Sequence, residues 1–298
     1  MTIEKELVPM YVGKTQSSPI LQTPDSGRAS LLSHSSLFIK CSLVLANISS
    51  FGYDDEMTGS VPLGDVVDTR PAKAPQHLTI NGRFVTLLPI SSSHVTALYQ
   101  NLCLNSSEAT WTYLPTGPFS DEESFAAHIE NLVASRDPLF FTVVPKTDLP
   151  GIPSGTPVGY LSLMRMDVKN CGIELGSIAF SAALQRTTVA TEALYLAMRH
   201  SFEDLGNRRL EWKCDSLNSK SRRAAQRLGF VSEGLFRKHL IVKGRNRDTT
   251  WFSIVDDEWP QRREAFDRWL EVENFDEKGR QKKSLADFRK EIDGRNDK

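Results

Sequence analysis

The sequence predicts an α+β (α/β) fold organised on a single mixed sheet. From about His77 to Pro260, apolar runs of strand character and amphipathic helical periods follow one another in the order β α α β β β α β α β β. Strands occur both in direct succession and separated by helices, the pattern of one sheet with mixed strand directions. No internal repeat at a fixed period suggests a solenoid instead.

Phe84 to Pro89 reads as the first strand and Val95 to Leu104 as a short amphipathic helix. Ser120-Asp121-Glu122-Glu123 has the form of a capping box, with Ser120 as the cap and Glu123 reaching back, and Phe125, Ile129 and Leu132 mark one face of the helix that follows. Leu139 to Val144 is an apolar strand that runs into a Pro/Gly-rich turn. Val158 to Met164 and Ile173 to Phe180 read as a hairpin. A loop from Gln185 to Ala190 then opens a helix that reaches Leu205 and closes at Gly206. Arg208 to Cys214 is a strand, Asn218 to Leu228 a helix closed by Gly229, and Phe230 to Val242 and Thr249 to Val255 are strands joined by Lys243-Gly244-Arg245-Asn246. Beyond Pro260 a charged helix runs to about Phe275, followed by a Lys/Asp/Glu/Arg tail read as a solvated face or disordered.

Residues 1–76 differ in texture. Eleven serines fall between Thr15 and Ser60 among scattered Pro and Gly, and no amphipathic period persists. A poorly ordered extension is expected, with at most a short helix or strand around Leu37 to Ile48. Three regions result: 1–76 as the extension, 77–260 as the folded domain, and 261–298 as the charged helix and tail.

Composition narrows the function classes. The 298 residues are 40% apolar and 24% charged, with a net charge of −1, so no overall basic field marks a nucleic-acid or anionic-membrane partner. The run Leu37 to Ile48 is interrupted by Lys40 and falls short of the roughly 20 residues of a spanning helix. The first fifty residues are not Arg-rich, which argues against an organellar leader. Cys41, Cys103, Cys171 and Cys214 are scattered without a CxxC pair, which fits a reducing, cytoplasmic setting better than secretion. Asn47-Ile48-Ser49 and Asn105-Ser106-Ser107 are then chance sequons. Gly13-Lys14-Thr15 fails as a Walker A loop because Val8 stands where its first glycine belongs. There is no GxSxG, HExxH or GxGxxG after a strand, and no i, i+4 histidine pair, so no metal is expected.

Two segments carry chemistry. Gln185-Arg186-Thr187-Thr188-Val189-Ala190 links an apolar strand to a helix that Thr187 or Thr188 can cap. The first-turn N–H groups, the helix dipole and Arg186 together suit a pyrophosphate, although a plain strand–loop–helix with a Thr cap has the same pattern. In Asp215 to Ser221, Asn218 and Ser221 fall on one helical face beside the preceding strand. They equally fit an N-cap and a first-turn residue.

Together these residues resemble the GNAT superfamily of acyl-CoA-dependent N-acyltransferases, in a subgroup similar to the enzymes that acetylate ribosomal-protein N-termini. The superfamily signature is Gln/Arg-x-x-Gly-x-Gly/Ala. Gln185 and Ala190 match, Thr188 replaces the central glycine, and Thr191-Glu192-Ala193 resembles the run that follows. Asp215 to Ser221, Leu228-Gly229-Phe230, Glu233 to Arg237, Trp111 to Pro115 before Gly117-Pro118-Phe119, Arg247-Asp248 and Glu258-Trp259-Pro260 are similar to further blocks of that subgroup, in the same order.

The resemblance implies a splayed seven-stranded mixed sheet flanked by helices. Acetyl-CoA would be the co-substrate, pantetheine would pair with the strand ending at Phe180, and backbone N–H near Phe180 would polarise the thioester. It implies cofactor contacts from Phe180, Gln185, Arg186, Thr187, Thr188, Val189, Ala190, Thr191, Asn218 and Ser221. It points to Glu174 as the base and Ser221 as the proton donor to the leaving thiolate. Trp111, Tyr113, Arg237 and His239 would wall the acceptor site, with His239 an alternative base because histidine titrates near neutrality. Lys220, Arg222 and Arg223 could reach phosphates or form a solvated helix face. The glutamate that related enzymes carry in the strand after Glu233-Gly234 is absent from Arg237 to Ile241.

The expected function is acetyl-CoA-dependent N-acetylation of a small-molecule or peptide amine, by a monomer or homodimer. A protein N-terminal acetyltransferase and a degenerate acyl-CoA-binding module without turnover are the alternatives.

Overall fold

The computed structural model describes residues 62–277 and 279–296, and one compact unit within it begins at Val67. The serine-rich stretch and the run Leu37 to Ile48 lie outside the described residues. Among the described residues, eight strands form one sheet: β1 (Ile80–Asn81), β2 (Val85–Pro89), β3 (Leu139–Pro145), β4 (Gly159–Asp167), β5 (Gly172–Phe180), β6 (Arg209–Asp215), β7 (Val231–Val242) and β8 (Arg245–Val255), in the order β1-β2-β3-β4-β5-β6-β8-β7. Every neighbouring pair is antiparallel except β5–β6, which is parallel. The eighth strand, against seven expected, is β1. It has only two residues, too few for a periodic signal to register.

Strand alternation divides the core. On one face Phe140 of β3, Tyr160 of β4 and Ala179 of β5 pack under α1 (Val95–Tyr99) and α2 (Glu122–Ala134), through Leu98, Phe125 and Ile129. On the other face Phe141, Leu161, Leu175 and Leu210 pack under α3 (Thr188–Arg199), α4 (Ser219–Leu228), α5 (Trp259–Trp269) and α6 (Leu285–Asn296).

Several local expectations shift. Asp121, not Ser120, caps α2: its Oδ1 accepts the Ser124 N–H at 2.7 Å, while the Ser120 hydroxyl donates to its Oδ2 at 2.8 Å. The carboxylate is the stronger acceptor of the two. The helices at Val95 and Thr188 both loosen into five-residue π turns, Gln100–Leu104 and His200–Asp204. β8 starts at Arg245 rather than Thr249, because Lys243-Gly244 form a two-residue turn with φ +49° and +72°, whose twist suits a hairpin.

The C-terminal segment is not a solvated tail. α5 stops at Trp269, and α6 folds back with Leu285, Phe288 and Ile292, spaced three and four apart, buried in the main core. Burial at that depth is worth roughly 1.5–3 kcal/mol for each such side chain. Upstream, the Ala72 N–H donates to Val168 O at 2.9 Å and the Lys73 N–H to Leu205 O at 2.8 Å, with Ala72 buried. These bonds place the edge of the compact unit near Val67, ten residues before the expected boundary.

Among the described residues, no helix is long and apolar enough to cross a membrane, and no cluster of His, Cys, Asp or Glu could hold a metal ion.

Candidate active site

The site begins where two parallel strands stop pairing. β5 and β6 align over Gly172↔Arg209, Ile173↔Leu210 and Glu174↔Glu211 and no farther. Beyond that point β6 stays with β8 as far as Asp215↔Thr249, while β5 stays with β4 as far as Phe180↔Gly159. Ser177, at φ +47°, lies where the β4–β5 register slips between Ser162↔Gly176 and Tyr160↔Ala179. Such a bulge bends its strand, and β5 bends away from β6. The opening between the C-terminal ends of two parallel strands is where open sheets present unpaired backbone to ligands.

A helix starts at each arm of the opening. After β5, the Gln185 side chain folds back to donate from Nε2 to Phe180 O at 2.8 Å. Thr187 caps α3: its Oγ1 accepts the Ala190 N–H at 3.0 Å and donates to Leu184 O at 2.7 Å. Thr188 and Val189 are the first two helical residues, so their N–H groups have no intrahelical acceptor and suit an anionic group. The left-handed residue of this loop is Arg186, at φ +64°, and not Thr188. A threonine at 188 therefore meets no backbone strain. Arg186 is exposed, whereas Val189, Ala190 and Thr191 are buried and can offer only backbone to a cofactor. Thr191 Oγ1 accepts from Arg227 at 3.2 Å, which ties α3 to α4.

After β6, Asn218 caps α4 through Oδ1, which accepts the Ser221 N–H at 3.1 Å. Ser221 Oγ accepts from Trp212 Nε1 at 2.9 Å, leaving its own proton available to donate. Burial is the largest influence on the Cys214 thiol and raises its pKa, against a smaller opposing contribution from Ser221. Among the described residues, Lys220, Arg222 and Arg223 make no ion pair.

At the fork sits Glu174, 4% exposed. Its Oε2 meets Lys213 Nζ at 2.9 Å and Arg165 Nε at 2.9 Å. Burial raises the Glu174 pKa, and Lys213 and then Arg165 only partly offset it. Lys213, its side chain 6% exposed, also pairs with Glu211 and lies 4.0 Å from the Trp251 ring centre. Arg209 bonds Glu211 at 2.8 Å and also Glu233. Burial pushes the Glu211 carboxyl upward, but Lys213 and Arg209 outweigh it and hold the pKa low.

The expected acceptor wall divides. Trp111 is 1% exposed and packs against Phe119, Phe125 and His128, so its indole is core. Tyr113 crosses the opening, donating its hydroxyl to Leu217 O at 3.2 Å beside the Asn218 cap. Lys243, at the hairpin tip, donates to Trp111 O at 2.8 Å. His239 is half-buried, with Nδ1 3.0 Å from Thr249 Oγ1 and its ring beside the Phe236–Trp251 pair, 5.5 Å from the first and 5.9 Å from the second. Arg237 is exposed on β7. Arg165, Glu211, Lys213 and Trp251 were missed in the sequence. The signal was there: Arg209, Glu211, Lys213 and Asp215 alternate with apolar residues, so period two puts all four on the face of Glu174.

Residues 85–231 match the family model described as the acetyltransferase (GNAT) domain. The chain is similar to a GCN5-related N-acetyltransferase from Brucella melitensis (42% identity, 74% of this chain and 98% of that one, TM-score 0.71). It is also similar to a probable GNAT-family acetyltransferase from Chromobacterium violaceum ATCC 12472 (37% identity, 68% and 98%, TM-score 0.60). A Bacillus subtilis (strain 168) protein named "Putative ribosomal N-acetyltransferase YdaF" is 29% identical over 136 residues, 42% of this chain and 74% of that protein.

Proposed function

This chain belongs to the GNAT acetyltransferase family and is an N-acetyltransferase with acetyl-CoA as co-substrate, and we propose that it acetylates the primary amine of a small molecule or peptide in the opening between β5 and β6. The observation that carries this reading is the parallel pair that ends at Glu174↔Glu211, with a buried carboxylate at its last rung and a helix N-terminus beyond each strand.

Acetyl-CoA brings the thioester; the chain's residues do the rest. The Thr188 and Val189 N–H groups, with Arg186 beside them, hold the diphosphate. The free edge of β5 from Leu175 to Phe180 takes the pantetheine amides as an added strand would. The amine arrives as an ammonium, and Glu174 accepts its proton. A carboxyl with an upward-shifted pKa is the stronger base for that task. Backbone N–H donors near Phe180 meet the developing oxyanion. Ser221, its oxygen occupied by the Trp212 indole, directs its hydroxyl proton to the leaving thiolate.

The test is thiol release from acetyl-CoA against a panel of polyamines, amino sugars, amino acids and peptides. Saturable, amine-dependent release with at least one member supports the reading. Release that no member accelerates above hydrolysis overturns it.

A further inference from the structure

Glu174 is loaded asymmetrically. Both cations that reach it, Lys213 from β6 and Arg165 from β4, bind Oε2. Oε1 takes no hydrogen bond from either, and it lies beside Gly176, where a β-carbon would stand 3.3 Å from it and 2.7 Å from Met164 Sδ. Glycine at 176 keeps that oxygen clear. Lys213 has little freedom of its own. It is buried, paired with Glu211, and lies against the Trp251 ring. Arg165 is half-exposed, so solvent competes for it. The charged groups that face Glu174 are therefore Arg165 from β4 and Lys213 and Glu211 from β6. Gly176 of β5 and Trp251 of β8 are uncharged neighbours.

We propose that Lys213 is a positioning residue for the transfer: clamped by Glu211 and Trp251, it pins Oε2 so that Oε1 alone receives the acceptor ammonium. The inference rests on Glu174 as the base. The proton passes from the ammonium nitrogen to Oε1, and the nitrogen keeps the electron pair with which it attacks the thioester. Two charges of opposite sign tune that oxygen in opposite directions. Lys213 favours the ionised carboxylate, and Glu211, on the far side of Lys213, disfavours it.

The experiment is the pH profile of kcat/KM for the wild type, Lys213→Met, Lys213→Arg and Glu211→Gln, with one amine from the panel above and thermal unfolding recorded for each protein. Removing Lys213 leaves burial less opposed, so the acid limb of Lys213→Met moves up by about one pH unit or more, the usual effect of losing a neighbouring opposite charge. Activity lost at neutral pH then returns as pH rises. Lys213→Arg keeps the wild-type limb. Glu211→Gln moves it the other way, toward lower pH. That variant stands at a more exposed position and keeps the test alive if Lys213→Met does not fold. Limbs that stay at the wild-type pH, or that move in the same direction in both variants, overturn the proposal. Glu174→Gln separates the two failures. If it retains the wild-type limb, the base assignment itself falls. If it loses the limb while Lys213→Met leaves it in place, only the role of Lys213 falls.

Discussion

Replacing Glu174 by Gln changes one atom and one charge at the fork. With the amide oxygen in the place of Oε2, the 2.9 Å contacts to Lys213 and Arg165 survive, and the amide nitrogen takes the place of Oε1. The geometry is kept and the proton acceptor is gone. Loss of a general base costs about 10²–10⁴ in turnover, roughly 3–5 kcal/mol of barrier at 1.36 kcal/mol per decade. Stability falls less. One hydrogen bond and one ion pair to a charged acceptor become contacts to a neutral one, at about 1–3 kcal/mol in total, while Lys213 keeps Glu211. At about 2–4 °C per kcal/mol for a domain of this size, Tm drops by roughly 2–12 °C. Acetyl-CoA affinity stays within about threefold, because the N–H groups of Thr188 and Val189 lie past the other end of β5. The assay is the pH profile of kcat/KM for both proteins, with calorimetric titration of acetyl-CoA. The wild type falls away as pH drops through the raised pKa of Glu174, and the variant lacks that limb. Full activity of the variant at neutral pH refutes the base role and moves suspicion to His239. Loss of acetyl-CoA binding shows Glu174 to be a brace between the strands.

Three further outcomes follow from the geometry. Thr188→Gly should lower stability by about 0.5–1 kcal/mol without tightening acetyl-CoA binding beyond about threefold, since residue 188 sits in a helix at negative φ; a tenfold gain by calorimetry contradicts this. Deleting residues 1–66 should leave cooperative unfolding intact, whereas deleting 1–76 removes the Ala72 and Lys73 backbone bonds and lowers Tm by several degrees; equal Tm values refute the boundary. Tyr113→Phe combined with Lys243→Met removes two of the side-chain bonds that hold the segment around Trp111, and leaves the Ala182 N–H bond to Ser106 Oγ in place. Hydrogen exchange at residues 106–113 should quicken while Tm changes little, and unaltered exchange shows that packing and the Ala182–Ser106 bond hold the segment.

Most strands were legible because they are long and apolar and the chain punctuates them. A threonine cap at Thr187 or Thr188 and the closure of α4 at Gly229 follow from residue chemistry alone. What escaped had physical causes. α6 hides its three core residues in a run of Lys, Asp, Glu and Arg, and charge outweighed the spacing of Leu285, Phe288 and Ile292. Trp111 reads as a pocket wall because aromatic side chains serve both surfaces and cores, and only the packing of Phe119 and His128 decides. Glu174 stood out through its family pattern, but its cations lie 9 and 39 residues away along the chain. Nothing local pairs Arg165 or Lys213 with it until the sheet is assembled.

Arg289, on α6, donates to the carbonyl oxygens of Arg227 and Gln226, the last turn of the helix that begins at Asn218. Gln226 O already accepts the Gly229 N–H at 3.1 Å, but Arg227 O waits for a donor made 62 residues later. During synthesis, which proceeds at roughly 5–20 residues per second, the cofactor arm of the cleft can be fully translated and still lack its closing contacts for several seconds. A ribosome that stalls within that interval, or a protease that clips the chain before Leu285, leaves a fold with every site residue present and one of its supporting helices closed by Gly229 but without its brace from Arg289.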